Sequence, residues 1–229
     1  MHFELAHFNN PEAVGNFLEK NGVNNYKLNL YENHLVIEID ADKYSAEELD
    51  ILQRHFSYYD IFLWSEKGVE NVTLWEKPRR VEAVIREYRQ LLSSVEYSLI
   101  SSIEARGFIL GGIFARELKK PFVTIRKYKV IYDALPGYKY QYQNWKGQKE
   151  ELYIFTNPFG GEQAILIDDI IETGNSLHAA KEMLGQFNIE IAAAFYLLDA
   201  TSNETRQSFS FPIRSLLRFD GLFDNRPIP

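Results

Sequence analysis

The chain has 229 residues, of which 45% are hydrophobic, 14% aromatic and 25% charged, enough for one large domain or two unequal ones. Its formal net charge of −7 argues against clamping a nucleic-acid backbone, and with no cysteine it has no disulfide, iron–sulfur cluster or thiol nucleophile. The start Met1-His-Phe-Glu-Leu5 lacks the blocks of a signal peptide, and no apolar run reaches membrane-spanning length, so a soluble, cytoplasmic protein is expected, with no membrane or nucleic-acid partner.

Charge divides the chain. Residues 1–77 hold 6 Lys/Arg against 14 Asp/Glu, whereas residues 78–229 hold 19 against 18. Lys77-Pro78 is the expected seam, since proline restricts the residue before it. The first region reads as a small acidic α+β domain of unknown role. Pro11–Lys20 opens after Asn-Asn as a capped helix with proline in its first turn. Tyr26–Tyr31 and His34–Asp40 alternate as two strands around Glu32-Asn33. Ser45-Ala-Glu-Glu starts a second helix, and two further strands are expected at Asp60–Trp64 and Asn71–Trp75. His2, His7, His34 and His55 have no metal-ligand rhythm and read as surface or packing residues.

From Pro78 helix and strand alternate. Helices are expected at Arg79–Leu92, Gly107–Leu118 and Ser176–Phe187, and strands at Tyr97–Ile103, Pro121–Ile125, Ala164–Ile167 and Ile191–Leu198. That order predicts a mainly parallel sheet flanked by helices.

The most informative segment is Ile165-Leu-Ile-Asp-Asp-Ile-Ile-Glu-Thr-Gly-Asn-Ser176. An apolar strand runs into two carboxylates, a short loop and a helix, and ligands of open α/β sheets gather beyond strand ends of this kind. Asp168 and Asp169 can accept hydrogen bonds from a vicinal diol. Thr173-Gly-Asn-Ser176 offers peptide N–H groups and hydroxyls at a helix start, where the dipole favours a phosphate by about 0.3–1 kcal/mol. A nucleoside triphosphatase would need a G-x-x-x-x-G-K-[ST] loop, which the chain lacks. A phospho-acceptor receiver needs more than the 60 residues that follow Asp169. Plain strand–helix packing with solvated acids is the third alternative.

A second junction lies upstream, at Ile103-Glu-Ala-Arg-Gly-Phe-Ile-Leu-Gly-Gly112. Gly111 and Gly112 each cost a helix interior roughly 1 kcal/mol relative to alanine, so backbone or ligand is expected to come close. Arg106 is placed to bind phosphate oxygens bidentately. Residues 119–149 then carry eight Lys/Arg and one acid, Asp133, a concentration of positive charge suited to a polyanionic leaving group.

In this order and spacing the two segments resemble the type I phosphoribosyltransferases, and within them the adenine type. Ile165–Ser176 is similar to the family's phosphoribosyl pyrophosphate (PRPP) motif, and Glu104-Ala-Arg-Gly-Phe-Ile-Leu-Gly to the adenine-type pyrophosphate loop. Pro121-Phe-Val, Arg126-Lys127, Glu151-Leu-Tyr-Ile and Gly161–Asp169 continue the likeness over residues 80–200. The implied fold is α/β, a mainly parallel phosphoribosyltransferase-like sheet in residues 78–229 behind a small N-terminal α+β domain, 1–77.

The resemblance also implies roles. Asp168 and Asp169 would hold the ribose hydroxyls, and Glu172, Thr173, Gly174, Asn175 and Ser176 the 5-phosphate. Ala105, Arg106 and Gly107 would meet the pyrophosphate, often through a non-proline cis peptide, with Arg126 and Lys127 adding charge. Mg²⁺ would be held mainly by PRPP itself, with Asp168 and Asp169 as indirect ligands. A mobile loop, Asp133–Lys149, would close over the site. Glu172 is the candidate general acid/base; its alternative role is to cap the helix or order the phosphate loop. The implied activity is purine salvage: transfer from PRPP to a purine base, adenine foremost, by a homodimer. A PRPP-sensing regulator without turnover and an enzyme with a non-standard acceptor are the alternatives. They arise because Tyr140-Gln-Tyr-Gln-Asn-Trp-Lys-Gly147 lacks the acid usual in the adenine-type closing loop, leaving Tyr140, Tyr142 and Trp145 to cover the site. The usual base-covering hood has no recognisable counterpart in residues 1–77, although Ile213–Gly221 could supply a final strand and part of it.

Overall fold

The computed structural model describes residues 1–8, 10–32, 34–65, 68–144, 146–155 and 162–223, with backbone only at 130 and 131. Its N-terminal part is a three-stranded antiparallel sheet, in which β1 (His2–Ala6) and β2 (Tyr26–Tyr31) flank β3 (His34–Ile39). Leu35, Ile37 and Ile39 of β3 are buried, as their period-two spacing predicts, and Val36 between them is buried as well. Helix α1 (Pro11–Lys20) starts where the Asn10 side chain accepts the Ala13 N–H at 3.0 Å. Helix α2 (Ala46–Ser57) carries a full capping box. Ser45 Oγ accepts from the Glu48 N–H, and the Glu48 carboxylate accepts the Ser45 N–H at 2.7 Å.

The next segment departs from expectation. The first expected strand, Asp60–Trp64, is replaced by a shorter one shifted towards its end, β4 (Leu63–Ser65), which pairs with β5 (Gly68–Glu70). Residues 59–61 instead form a tight turn, over which Tyr59 stacks on Trp64 at 4.7 Å. The expected strand Asn71–Trp75 is a helical turn, α3 (Val72–Trp75). Its β-branched and aromatic residues favour a strand, but tertiary contacts override that preference. Asn71 is 2% exposed and turns its amide to Asp169, while the Thr73 hydroxyl donates to the Asp60 carbonyl.

Helix α4 (Pro78–Leu91) leads into the main body, made of β6 (Leu99–Ile103), α5 (Arg106–Leu118), β7 (Phe122–Lys127), β8 (Gly137–Gln143), β9 (Lys149–Phe155), β10 (Gln163–Ile171), α6 (Asn175–Gly185), β11 (Glu190–Asp199), α7 (Asn203–Gln207) and β12 (Ile213–Arg218). Its sheet runs β12-β11-β10-β6-β7-β9-β8, with the first five strands parallel, β9 antiparallel to β7, and β8 antiparallel in turn to β9. Successive residues of β10 enter opposite layers. Ile165 and Ile167 pack with Leu110 and Phe114 of α5, and Ala164 and Leu166 with Leu177, Ala180 and Met183 of α6. The α5 layer continues into residues 1–77. Phe219, just past β12, is fully buried with its ring 5.0 Å from Phe8 and 5.3 Å from His55.

The glycines of α5 have different reasons. A Cβ on Gly111 would lie 2.0 Å from Ser102 Oγ and 2.7 Å from the Phe122 ring, so this helix approaches the sheet only without a side chain. At Gly112 the nearest such atom is at 4.0 Å, and the close approach expected from the sequence is absent there.

Candidate active site

Strand order reverses between β6 and β10: β7 lies to one side of β6, while β10 and β11 lie to the other. Pairing between β6 and β10 stops at Ser102 and Ile167. Beyond it β10 continues beside β11 alone, with Asp168 opposite Tyr196 and Ile171 opposite Asp199. The gap left on the β6 side opens a crevice of about 350 Å³, at the topological switch point where open α/β sheets take ligands. Asp168, Asp169, Glu172, Thr173, Gly174, Asn175, Ser176, Ala105, Arg106 and Lys127 all line it.

The acids form its floor. The Asp169 N–H donates to Asp168 Oδ1 at 2.9 Å. Asp169, 3% exposed, receives Arg106 Nε at 2.8 Å and the Asn71 amide at 3.3 Å on the same oxygen. Withdrawal from water raises the Asp169 carboxyl above the ordinary aspartate range, with the Arg106 charge acting against the rise. Among the described residues Asp168 has no ion pair like that of Asp169. Withdrawal from water first, and then the Asp169 charge, push it well above that range, and the Arg106 charge opposes its rise only weakly.

Two backbone junctions face these acids. Gly174 adopts a left-handed conformation, φ +75°, that an L side chain seldom takes, and α6 starts at the next residue. The first N–H groups of that helix have no carbonyl of their own turn to donate to. A Cβ on Gly174 would also meet Thr205 at 3.0 Å and Phe209 at 3.2 Å, so α7 and the segment after it back the loop. On the other side the Glu104–Ala105 peptide is cis, and Ala105 and Arg106 open onto the crevice. Gly107 is buried beneath them. A Cβ there would sit 2.7 Å from Asp168 Oδ1, so this glycine lets the start of α5 reach the acids.

The basic stretch separates into different jobs. Lys127 lines the crevice, 3.8 Å from Glu150. Arg126 lies outside the described lining, its guanidinium over the rings of Phe108 and Tyr132 at 5.6 and 5.9 Å and 3.6 Å from Glu104. Lys119 ends α5, Lys120 lies over Tyr97, and Lys139 pairs with Asp133.

Much of the expected closing loop is a β-hairpin. Strands β8 and β9 pair from Gly137–Phe155 to Gln143–Lys149, and Tyr138, Tyr140 and Tyr142 pack towards the α6 layer. Trp145, expected to help cover the site, lies outside the described residues, as do Asn33 of the expected turn and Gly161 of the resembling stretch. Pairing Tyr142 with Glu150 brings an acid into the crevice that a search of residues 140–147 misses. Glu150 accepts from the Tyr142 hydroxyl at 2.7 Å and the Asn144 amide at 2.8 Å. Burial works to raise its carboxyl, but these bonds and Lys127 outweigh it and hold the group below the usual range. Glu70 and Asn71 were also unmarked in the sequence, since their relation to the acids is purely tertiary.

Among the described residues, no three or more His, Asp or Glu converge as a cage for a metal ion. The crevice instead offers two hard carboxylates side by side. That donor set fits a divalent cation held mainly by the oxygens of a ligand and water. No helix among the described residues is long and apolar enough to cross a membrane.

Comparison with known proteins agrees with this geometry. Residues 71–212 match the phosphoribosyl transferase domain family. The adenine phosphoribosyltransferase of Mesorhizobium japonicum is 34% identical over 154 residues, 65% of this chain and 83% of that protein. Its counterpart in Rhodopseudomonas palustris is 30% identical over 152 residues with the same coverage. The crystal structure of adenine phosphoribosyltransferase from Thermoanaerobacter pseudethanolicus superposes with a TM-score of 0.60 at 21% identity, over 66% of this chain and 88% of that one, and so supports the fold. With the matched domain holding both sides of the crevice, the chain belongs to the phosphoribosyltransferase family.

Proposed function

We propose that this protein transfers the 5-phosphoribosyl group of PRPP to a purine base, adenine foremost, releasing pyrophosphate. The observation that carries this reading is one crevice holding paired strand-end acids, a phosphate loop at a helix start and the Ala105-Arg106 turn. The adenine phosphoribosyltransferase relatives support adenine as the acceptor. Residues 78–229 carry the chemistry, while residues 1–77 reach it through Glu70 and Asn71. The purine-salvage role, a cytoplasmic location and a homodimeric state belong to the same proposal.

In this mechanism Asp168 and Asp169 accept hydrogen bonds from the ribose 2- and 3-hydroxyls. Residues 172–176 bind the 5-phosphate through peptide N–H groups and the Thr173 and Ser176 hydroxyls. The bond between carbon 1 and the pyrophosphate oxygen breaks as a bond to the base nitrogen forms. The ring gains oxocarbenium character in between, and the departing oxygens gather negative charge. Arg106 and Lys127 stabilise that charge, with Arg126 adding to the field from outside the described lining. The proton of the attacking nitrogen passes to a carboxylate, for which Glu172 is the assigned acceptor. Mg²⁺, when bound with PRPP against Asp168 and Asp169, supplies further charge neutralisation at the leaving group. The hairpin β8–β9 excludes water from the reacting carbon.

Incubation with PRPP, Mg²⁺ and one base at a time tests the reading. Pyrophosphate should appear with adenine ahead of hypoxanthine, guanine, xanthine and orotate. Silence across the panel, with PRPP still bound, would instead favour a sensor.

A further inference from the structure

Every cation at the Ala105-Arg106 side of the crevice already faces an acid of the same chain. Arg106 is the extreme case. Its Nε meets Asp169 at 2.8 Å, and its Nη1 meets Glu70 Oε2, also at 2.8 Å. The two carboxylates differ in freedom. The Asp169 side chain is 5% exposed and fixed by Asn71, whereas that of Glu70 is 61% exposed at the end of the short hairpin β4–β5. An anion arriving from solvent can displace only the second.

We propose that Glu70 is a built-in competitor of pyrophosphate for Arg106, and so sets the affinity of the site for PRPP and its pyrophosphate product. This rests on the function proposed above. A carboxylate hydrogen-bonded to a guanidinium edge mimics a phosphate oxygen in charge and geometry. Pyrophosphate must therefore exchange with Glu70 rather than meet an unoccupied Nη1. The exchange lowers affinity for PRPP, and it hastens departure of the product by returning a partner to Arg106. Glu70 lies one residue before the matched family domain, so the N-terminal region supplies the competitor.

The test is calorimetric titration of the full chain, in Mg²⁺ buffer, with pyrophosphate and separately with ribose 5-phosphate, which has no pyrophosphate group. Glu70→Gln and Glu70→Ala should each bind pyrophosphate about two- to fivefold more tightly, the span expected for losing one exposed ion pair. The gain should shrink at high salt, and ribose 5-phosphate should bind as in wild type. Unchanged or weaker pyrophosphate binding would overturn the proposal, because Glu70 would then orient Arg106 or be idle. An equal gain for both ligands would also overturn it, by reducing Glu70 to general repulsion. Failure of wild type to bind either ligand would be a different result, removing the proposed function itself.

Discussion

Arg106 Nε lies 2.8 Å from Asp169 Oδ2, so the residue after the Glu104–Ala105 loop and the second strand-end acid grip each other across the crevice. The pair joins two segments 63 positions apart and keeps the buried Asp169 charge compensated. Arg106→Met should therefore destabilise the protein by about 1–3 kcal/mol, less than for a fully buried pair because the arginine is itself partly solvated. Adding Asp169→Asn should restore much of the loss in urea unfolding, because it removes the stranded charge. It should not restore pyrophosphate release. Recovery of turnover in the double variant would show that neither group serves the reaction.

Asp168 makes a trade of stability against binding measurable. Its carboxyl is raised above the unfolded value of 3.8, so as pH rises the unfolded chain ionises first. This group therefore removes stability from about that pH upward, until the raised folded value is passed. Asp168→Asn keeps an oxygen for the Asp169 N–H while removing the charge. It should melt at a higher temperature than wild type at pH 7 and bind PRPP about 10- to 100-fold more weakly, the cost of losing one hydrogen bond to a charged group. A lower melting temperature would contradict the assigned electrostatics.

His55 titrates in the opposite sense. Burial pushes it down to about 3, and its ring stacks on Phe17 at 3.6 Å beside Phe219. Between pH 6.5 and about 3 the unfolded chain binds a proton that the folded chain refuses, so stability falls with pH throughout that window. The slope approaches about 1.4 kcal/mol per pH unit, and above pH 7 the group contributes none. Unfolding free energies from urea at pH 7, 6 and 5 should differ between wild type and His55→Phe by this slope, the opposing Asp168 contribution being common to both. An equal slope in both would place the titration elsewhere.

Features set by near neighbours in the chain are legible in the sequence, and those set by tertiary contact are not. The strand into Asp168 and Asp169, the small-residue loop at Gly174 and the start of α6 follow from neighbours within a dozen positions, and the structure brings them together at one strand end. The hairpin β8–β9 was hidden because Tyr140–Gly147 is polar and aromatic, without a strongly apolar face. Its pairing depends on tyrosines reaching the α6 layer. Asn71–Trp75 failed for a related reason: a strand-like composition yields to one buried amide that must reach Asp169. Arg126 shows the same limit, since adjacency to Lys127 says nothing of its place between Phe108 and Tyr132.

Gly111 and Gly112 look equivalent in the sequence and occupy different surroundings. Adding a methyl at Gly111 drives it to 2.0 Å from Ser102 Oγ and 2.7 Å from Phe122, and both partners belong to the sheet. Gly111→Ala should cost about 1–3 kcal/mol by overpacking. It should also weaken PRPP binding, because α5 must shift and Arg106 is its first residue. At Gly112 the nearest atom is 4.0 Å away and the backbone is helical, so Gly112→Ala should stabilise by roughly 0.5–1 kcal/mol and leave turnover unchanged. Chemical denaturation and pyrophosphate release measured on both variants decide the matter. If the two alanines behave alike, the close packing of α5 on β6 and β7 is not what positions Arg106.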